Sequence, residues 1–335
     1  MIHSPYIRNN ASVRSVMLMV LLALLPGVAA YAWKVSPAIL LNLAIATATA
    51  LLAEAAVLAL RRRPLAPALG DLSAVVTAWL VALCFPPIVP WWLTVTAVLV
   101  AIVAVKHLYG GLGQNPFNPA MVAYCAMIVA FPALMSQWPP AGGLPFEMQL
   151  QLILGGVRDV DAITGATALD AMRTGLRAGA GTVEAVRDDS AFGLLGGRGY
   201  EWVAAGYLLG GLFLLARKII TWHMPVAFIA ALALISGLFW LVNPAQFASP
   251  AFHLASGGAM LAAFFIVTDP VSGATTPRGK LIFAAGIGLI AYLIRAFGAF
   301  PEGIAFAVLL MNMCVPLVDM KTQPAVFGHK KGVSR

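Results

Sequence analysis

The sequence predicts an all-α membrane protein with about ten transmembrane helices and a small polar region between its two halves. Of the 335 residues, 61% are apolar and only 10% are charged, with a mean hydropathy of +0.89. Soluble domains carry about 25% charged residues, so this chain has too little charge to cover a soluble surface. Its formal charge of +8 indicates basic loops at a membrane surface, because no basic run is interleaved with aromatics as nucleic-acid binding requires.

Ten apolar runs approach the roughly 20 residues that a helix needs to cross the hydrocarbon core. The predicted spans lie near residues 15–33, 38–60, 72–87, 91–108, 119–135, 201–218, 224–242, 254–269, 281–297 and 301–319. Five of them form a first membrane half within residues 1–135, and five form a second half within residues 201–320. Residues 136–200 are then a polar region outside the bilayer, and residues 321–335 are a cytoplasmic tail.

Lysine and arginine set the predicted orientation. With the N-terminus on the cytoplasmic side, 14 of the 21 Lys and Arg residues fall in the termini and short loops of that side. Lys34 and Arg295 are assigned to short loops of the other side, and the remaining five arginines lie in residues 136–200. Because cytoplasmic short loops are enriched in these residues, we expect a multi-pass protein of the bacterial cytoplasmic membrane. Both termini are expected inside the cell, and residues 136–200 outside the cytoplasm.

Two short spans occupy the same position in the two halves. Span 3, residues 72–87, ends at Phe85-Pro86-Pro87, and span 8, residues 254–269, contains Ser256-Gly257-Gly258. Short segments interrupted by Gly or Pro at matching positions are typical of inverted repeats with a site at their interface. The alternative is that these two helices are merely short and less tilted. The pattern favours an inverted repeat of five plus five spans.

The polar region contains the run Asp161-Ala162-Ile163-Thr164-Gly165-Ala166-Thr167. One interpretation is a turn and a helix cap, because a Thr or Asp before a helical run accepts hydrogen bonds from free backbone N–H groups. The other is a modification site, because the run resembles the acceptor motif at which flavin transferases join FMN through its phosphate to the last Thr. Gly165 and Ala166 leave room for a bulky group, and a helix N-terminus favours phosphate. The resemblance predicts covalent FMN on Thr167, with the rest of the run as its binding motif.

A second copy of the pattern follows span 8, at Asp269-Pro270-Val271-Ser272-Gly273-Ala274-Thr275. Arg278 and Lys280 place this copy on the cytoplasmic side in the predicted orientation. Transferases of this kind generally work outside the cytoplasm. We therefore assign FMN to Thr167 and not to Thr275.

The loop before span 5 is rich in polar groups. Asn115, Phe117 and Asn118 lie in it, and Thr268 and Asp269 end span 8 on the same predicted side. Irregular backbone at membrane depth is tolerated where it is buried in protein or lines a cavity. These residues are candidates for a second flavin site or a partner-docking site. The alternative is an ordinary tight turn, which the Gly-Gly and Asn-Pro pairs also predict.

Glu54 is the carboxylate that falls well inside a predicted span. A charged group at that depth is costly and is a functional candidate by default. It predicts a place on an ion or proton path, and the alternative is a structural Glu paired with a neighbouring helix. No metal site or catalytic residue is predicted, since the five His are scattered and the three Cys form no Cys-x-x-Cys pair.

Several motifs together resemble the D subunit of the Rnf electron-transport complexes and, more distantly, the B subunit of the sodium-translocating NADH:quinone oxidoreductases. They are Gly-Gln-Asn-Pro-Phe-Asn-Pro-Ala-Met at 113–121, the FMN-acceptor motif, Thr-Asp-Pro-Val-Ser at 268–272, and the runs 292–298, 301–312 and 327–329. The resemblance covers nearly the whole chain. Thr164 stands where Ser is common, and the longer N-terminal region of the quinone-reductase protein is lacking, which favours the Rnf protein.

The resemblance implies a membrane-embedded flavoprotein that relays electrons within a multisubunit complex. Such a complex moves electrons between reduced ferredoxin and NAD and couples this to translocation of Na⁺ or H⁺. The resemblance also implies a second, noncovalent flavin, often riboflavin, in the helix bundle, and a flavin transferase that attaches the FMN. No NAD-binding Gly-x-Gly-x-x-Gly motif after a strand and no cysteine-cluster motif occurs, so partner subunits should carry NAD, further flavins and iron–sulfur centres.

The other function class open to the sequence is an inverted-repeat solute channel or transporter without a redox role. Composition and predicted topology fit both classes. The two acceptor-like motifs favour a flavoprotein, and the colour of the purified chain separates the two.

Overall fold

The structure, a computed structural model, contains only helices as regular elements within the part of the chain that it describes. Extended backbone there forms just two isolated bridges, Trp138 with Gly165 and Phe192 with Gly197. The described residues are 12–140, 143–155, 164–178, 182–187 and 191–323. The helices are α1 Val13–Lys34, α2 Ile39–Leu60, α3 Leu65–Leu69, α4 Ser73–Cys84, α5 Trp91–Leu99 continuing as π-helix Val100–His107, α6 Pro119–Ala130, α7 Pro132–Met135, α8 Phe146–Leu154, α9 Ala168–Arg177, α10 Val183–Arg187, α11 Tyr200–Ala216, α12 His223–Val242, α13 Pro250–Ala255, α14 Ala259–Leu261 continuing as π-helix Ala262–Ile266, α15 Pro277–Phe297 and α16 Ile304–Thr322.

Five of these helices, α1, α2, α12, α15 and α16, are long and apolar enough to cross a membrane by length and composition. Shorter apolar helices are α4, α6, α11 and α5 with its π-helical continuation. Large apolar side chains such as Leu52, Leu234 and Leu241 are exposed on the long helices. Such surfaces suit lipid rather than water. The predicted all-helical, polytopic fold class is therefore confirmed.

Two predicted spans end earlier than the apolar pattern suggests, in each case because of proline. The helix predicted over 119–135 stops with α6, since Pro132 restrains the residue before it away from helical backbone angles. The helix predicted over 72–87 stops with α4, ahead of Pro86 and Pro87. Both helix ends border a cavity described below.

The span predicted over 254–269 is a broken helix that begins earlier, at Pro250. Its first piece, α13, ends before Ser256-Gly257-Gly258, where φ reaches +63° at Gly257. Glycine adopts this left-handed conformation without strain. The helix resumes as α14 and widens into π-helix, a form often found at functional sites. The structure thus shows the interruption that the glycines predict.

Glycines let α1 and α11, the first helices of the two membrane halves, pack closely. A Cβ atom added to Gly206 would lie 2.7 Å from the Cα atom of Gly27. One added to Gly210 would lie 1.8 Å from the carbonyl oxygen of Ala23. Small residues four apart allow helix backbones to approach in a membrane, where van der Waals packing drives association.

The helix ends meet at two opposite faces of the bundle. We call the end that carries Arg61, Arg63 and Arg217 the basic face, and the end that carries Thr167 the Thr167 face. The first turns of α1, α4, α6 and α12 line a cavity at the basic face. The first turns of α11 and α16 line a second cavity at the Thr167 face.

Two basic residues that were assigned to short loops lie instead within helices. Lys106 is buried in the π-helical part of α5, and Arg295 is buried in α15. Their assignment to loops was wrong, because each charge is compensated by a carboxylate inside the bundle. Both carboxylates belong to the sites described below.

The described parts of the polar region pack as small helices on the Thr167 face. Arg177 of α9 donates to the carbonyl oxygen of Gly298, after the end of α15, at 2.9 Å. Apolar side chains of α9 and α10, with Leu169 among them, form a small core with Phe252 of α13. These contacts hold α9, and with it Thr167, against the second membrane half.

Candidate functional site

A cavity of about 480 Å³ lies beside Thr167 and extends into the helix bundle. Its walls are mostly apolar, with Trp138 and Tyr200 in its outer part and Met121 and Ile266 among the residues deeper in the bundle. Largely apolar cavities of this size with a few polar groups are typical of cofactor and small-molecule sites. The predicted acceptor threonine therefore borders a space large enough for an organic cofactor.

Thr167 is the N-cap residue of α9, because its hydroxyl oxygen accepts a hydrogen bond from the Asp170 N–H at 3.2 Å. The cap interpretation is thus confirmed. The hydroxyl keeps its own proton for other chemistry, and the helix N-terminus is a favourable place for a phosphate, so capping leaves the modification open. Of the other motif residues, Thr164 is half-buried, Ala166 is exposed and Asp161 lies outside the described residues.

Gly165 fixes the segment that leads to Thr167. Its N–H donates to the carbonyl oxygen of Trp138 at 2.9 Å. A Cβ atom added to Gly165 would lie 2.9 Å from the Cα atom of Pro140. A larger residue would push this segment away from the cavity wall, and Thr167 would move with it.

Arg173 of α9 brings a positive charge to the same cavity. Its guanidinium donates to Asp170 Oδ1 at 3.3 Å and to the carbonyl oxygen of Ala299, while its Nε has no partner among the described residues. A guanidinium with a free N–H near a helix N-terminus is a donor set suited to phosphate. The groups around Thr167 therefore fit a cofactor that is linked through phosphate.

A buried ion pair supports this cavity from inside the bundle. Arg295 donates to Glu302 Oε1 at 2.9 Å and to the carbonyl oxygen of His253 at 2.7 Å. The other carboxylate oxygen of Glu302 accepts from the Gly258 N–H at 3.0 Å. The pair thereby satisfies backbone groups that the break between α13 and α14 leaves free. It was not predicted, because Arg295 was assigned to a loop.

A second cavity, of about 410 Å³, lies at the basic face. Four of the five residues predicted for a second flavin or partner site line it: Asn115, Asn118, Thr268 and Asp269. Phe117 is not among the lining residues, and its carbonyl oxygen accepts from Asn115 Nδ2 at 2.9 Å. The fold therefore brings together two loops that are 151 positions apart at Asn118 and Asp269.

A chain of hydrogen bonds joins these two loops. The N–H of Asn118 donates to Asn312 Oδ1 at 3.1 Å, and Asn312 Nδ2 donates to the carbonyl oxygen of Ser272 at 2.9 Å. The Ser272 hydroxyl donates to Asp269 Oδ2 at 2.6 Å. Asn118 Oδ1 also caps α6 by accepting from the Ala120 N–H at 3.1 Å. The loop before span 5 is thus a fixed, hydrogen-bonded segment within the bundle rather than a simple surface turn.

The second copy of the acceptor pattern ends at the basic face. The Thr275 hydroxyl donates to Asp319 Oδ2 at 2.9 Å, and the Thr275 N–H donates to Oδ1 of the same carboxylate at 3.1 Å. Thr275 lines the basic-face cavity, whereas Thr167 lines the other. The two candidate acceptors therefore lie on opposite faces, as the predicted topology requires.

Glu54 is buried and ion-paired. Lys106 Nζ lies 2.6 Å from Glu54 Oε1 and donates to the Ser73 hydroxyl oxygen at 2.7 Å. His107 Nε2 is 3.4 Å from the same Glu54 oxygen, and Glu54 Oε2 has no partner among the described residues. Lys106 was not predicted as the partner, although a lysine at the end of a predicted span was an available signal.

Comparison with known proteins identifies the relatives of this chain. The profile of the NQR2, RnfD, RnfE family matches residues 1–328. The chain belongs to this family. It is 49% identical over 345 aligned positions to the D subunit of the ion-translocating oxidoreductase complex of Aliivibrio salmonicida. Proteins of the same name from Erwinia tasmaniensis and Salmonella paratyphi B are 46% and 45% identical, and every one of these alignments covers 98% of both chains.

The family resemblance seen in the motifs is thereby confirmed, and the apolar helices and the family together indicate a multi-pass membrane protein. In this member of the NQR2, RnfD, RnfE family, the two cavities approach each other inside the bundle. Ala120 lines the basic-face cavity and Met121 the Thr167 cavity, and Phe265 and Ile266 are divided in the same way. Neighbouring residues of α6 and of the π-helix after α14 therefore separate the two spaces.

Proposed function

We propose that this chain is the D subunit of an Rnf-type ion-translocating oxidoreductase complex and that it relays electrons through bound flavin. In this proposal the complex moves electrons between reduced ferredoxin and NAD and translocates Na⁺ or H⁺, and the chain is not catalytic alone. The relatives carry the same subunit name. The observation that carries the flavin assignment is the motif threonine Thr167, at a helix N-terminus beside a cavity of about 480 Å³ and the unpartnered Nε of Arg173.

FMN joined through its phosphate to Thr167 is the first proposed cofactor. A flavin supplies one- and two-electron chemistry when bound, and the protein positions and tunes it. In this chain the N-terminus of α9 and Arg173 would hold the phosphate, while Trp138 and Tyr200 offer aromatic walls. A covalent link suits this place, because a freely bound flavin could diffuse away from an open surface.

A noncovalent flavin, riboflavin by family resemblance, is proposed for the basic-face cavity. The four polar residues that line it come from two loops held rigidly by hydrogen bonds, so the site is preformed. Phe264 and Phe265 contribute apolar, aromatic surface to the same cavity. A largely apolar space with a few fixed polar groups is what a planar ring system requires.

The remaining electron carriers belong to partner subunits in this proposal. The sequence has no Cys-x-x-Cys pair and no dinucleotide fingerprint after a strand. Iron–sulfur, NAD-binding and further flavin-bearing subunits therefore complete the complex. A flavin transferase attaches FMN during maturation, and the lipid bilayer surrounds the helix bundle.

We also propose that the two membrane halves form an inverted repeat. Corresponding helices make corresponding contacts: α2 packs on α5 in the first half as α12 packs on α15 in the second. The first helices of the halves, α1 and α11, pack on each other, and so do the last, α6 and α16. A two-fold axis in the membrane plane would relate these pairs.

An inverted repeat requires opposite insertion of the halves, with the basic face cytoplasmic and the Thr167 face outside the cytoplasm. Leu194 is 84% exposed in the polar region. In a chain whose native cysteines are replaced, Leu194→Cys should react with a membrane-impermeant maleimide on intact spheroplasts, and Arg63→Cys should react only after permeabilisation. The reverse pattern would overturn the orientation and, with it, the choice of Thr167 over Thr275.

For ion translocation we propose a role for Glu54. A buried carboxylate with one unpaired oxygen can receive a cation, which must compete there with the Lys106 ammonium. Glu54→Gln in the assembled complex, reconstituted in vesicles, should slow electron transfer or uncouple it from ion uptake while flavin content and assembly stay normal. An unchanged ion-to-electron ratio at normal turnover would remove Glu54 from the ion path.

The absorption spectrum of the purified chain before and after denaturation tests the flavin proposal. The native chain should show flavin absorption, and denaturation should release the noncovalent flavin into the filtrate while FMN stays with the polypeptide. A colourless native chain would instead favour the other function class, a solute channel or transporter without a redox role. Release of all the flavin would disprove the link to Thr167.

A further inference from the structure

Lys106 places a positive charge inside the helix bundle at the wall of the basic-face cavity. Its side chain is 4% exposed, and both Lys106 and its partner Ser73 line the cavity. The ammonium donates to Glu54 Oε1 at 2.6 Å and to Ser73 Oγ at 2.7 Å. An ammonium has three protons, so these two bonds leave one for a group in the cavity.

The backbone and the partners around Lys106 are fixed from several directions. Arg61 donates to the carbonyl oxygen of His107 at 2.7 Å, which anchors the end of the π-helix. The Ser73 hydroxyl donates to Asp71 Oδ1 at 2.6 Å, which orients its oxygen toward the ammonium. Lysine carries its charge on a flexible four-carbon stem. The charge can therefore shift between Glu54 and the cavity while its surroundings stay in place.

The charges at this site are balanced and buried, so a change in the cavity acts on them strongly. Charges inside a protein interact several-fold more strongly than charges in water. A negative charge that appears in the cavity would compete with Glu54 for the Lys106 ammonium. Any loss of that pairing has to be compensated, because a buried carboxylate without a cation is costly.

We infer that Lys106 is a redox-responsive counter-ion, shared between Glu54 and the flavin proposed for the basic-face cavity. One electron, delivered to that flavin by a partner protein of the complex, adds one negative charge to the cavity and draws the ammonium away from Glu54. One monovalent cation, Na⁺ or H⁺, then neutralises the freed carboxylate, so one electron and one positive charge enter together. Loss of the electron returns the ammonium to Glu54 and expels the cation. The inference rests on the proposed second flavin.

The midpoint potential of that flavin gives a test by sign. Purified full-length chain with Thr167→Ala serves as the parent, since only the noncovalent flavin remains. Lys106→Met should lower the potential by about 59 mV, equivalent to a roughly tenfold change in the reduced-to-oxidised ratio for one electron. Glu54→Gln should raise it, because the ammonium then has no competing carboxylate. Lys106→Arg keeps the charge and should stay near the parent.

Lys106→Met leaves Glu54 unpaired and can impair folding, so the double variant Glu54→Gln with Lys106→Met provides a second test without a buried lone charge. Its potential should still lie below that of the parent. The parent potential should also depend on Na⁺ concentration or on pH, and the double variant should lose that dependence. Single variants that shift the potential in the same direction, or not at all, would overturn the inference. A parent without flavin absorption would refute the second flavin itself.

Discussion

Replacing Thr167 by alanine should abolish the flavin fluorescence that the denatured chain carries in a gel. A phosphoester requires a hydroxyl, and Thr167 offers one beside the cavity that Arg173 also lines. The loss should be complete, because the link exists or does not exist. The measurement is the fluorescence of the denatured band, normalised to protein, from cells that also express the flavin transferase.

Alanine removes the N-cap of α9 as well, which costs about 1 kcal/mol. Thr167→Asn separates the two effects, because asparagine caps a helix at least as well as threonine but has no hydroxyl. It should be as dark as Thr167→Ala while keeping the thermal stability of the parent. Thr275→Ala should stay fluorescent, since Thr275 lies at the basic face and donates to Asp319. A fluorescent Thr167→Asn chain or a dark Thr275→Ala chain would contradict the assignment.

Replacing Arg295 by methionine should destabilise the folded chain by about 3 kcal/mol, at the lower end of the range for breaking a buried ion pair. The Arg295 side chain is 1% exposed, and its loss leaves Glu302 without a cation and the His253 carbonyl oxygen without a donor. Glu302 is 21% exposed, so water offsets part of the cost. Thermal unfolding in detergent measures the change as a lower temperature at which monodisperse protein is lost.

The same substitution should disturb the Thr167 cavity, because Glu302 also holds the Gly258 N–H at the helix break. Native flavin fluorescence should then become easier to quench from solvent. Arg278→Met is the matched control on the same helix, since Arg278 is exposed, and it should change stability by no more than about 0.5 kcal/mol. If the Arg295 and Arg278 variants unfold at the same temperature, the ion pair does not support the break.

The sequence predicted helices and loop positions well because composition and charge bias report them directly. Asn118 and Asp269 were placed together because their two loops follow from alternating spans that end on one side. Lys106 and Arg295 were placed wrongly because an apolar run shows that a helix exists but not which charge near its end turns inward. That depends on packing against a distant residue, as between Lys106 and Glu54, which are 52 positions apart. The π-helical turn that carries Lys106 leaves no mark in composition either.

The two cavities determine where a membrane voltage would fall across this chain. A cavity that opens to one face carries the potential of that face inward, so the voltage drops mainly across the closed part of the bundle. That part lies between Ala120 and Met121 and between Phe265 and Ile266. An electron that passes between carriers in the two cavities would cross much of this drop, at up to about 2.3 kcal/mol per 100 mV. We therefore expect this transfer to be electrogenic, with a rate in vesicles that follows an imposed voltage.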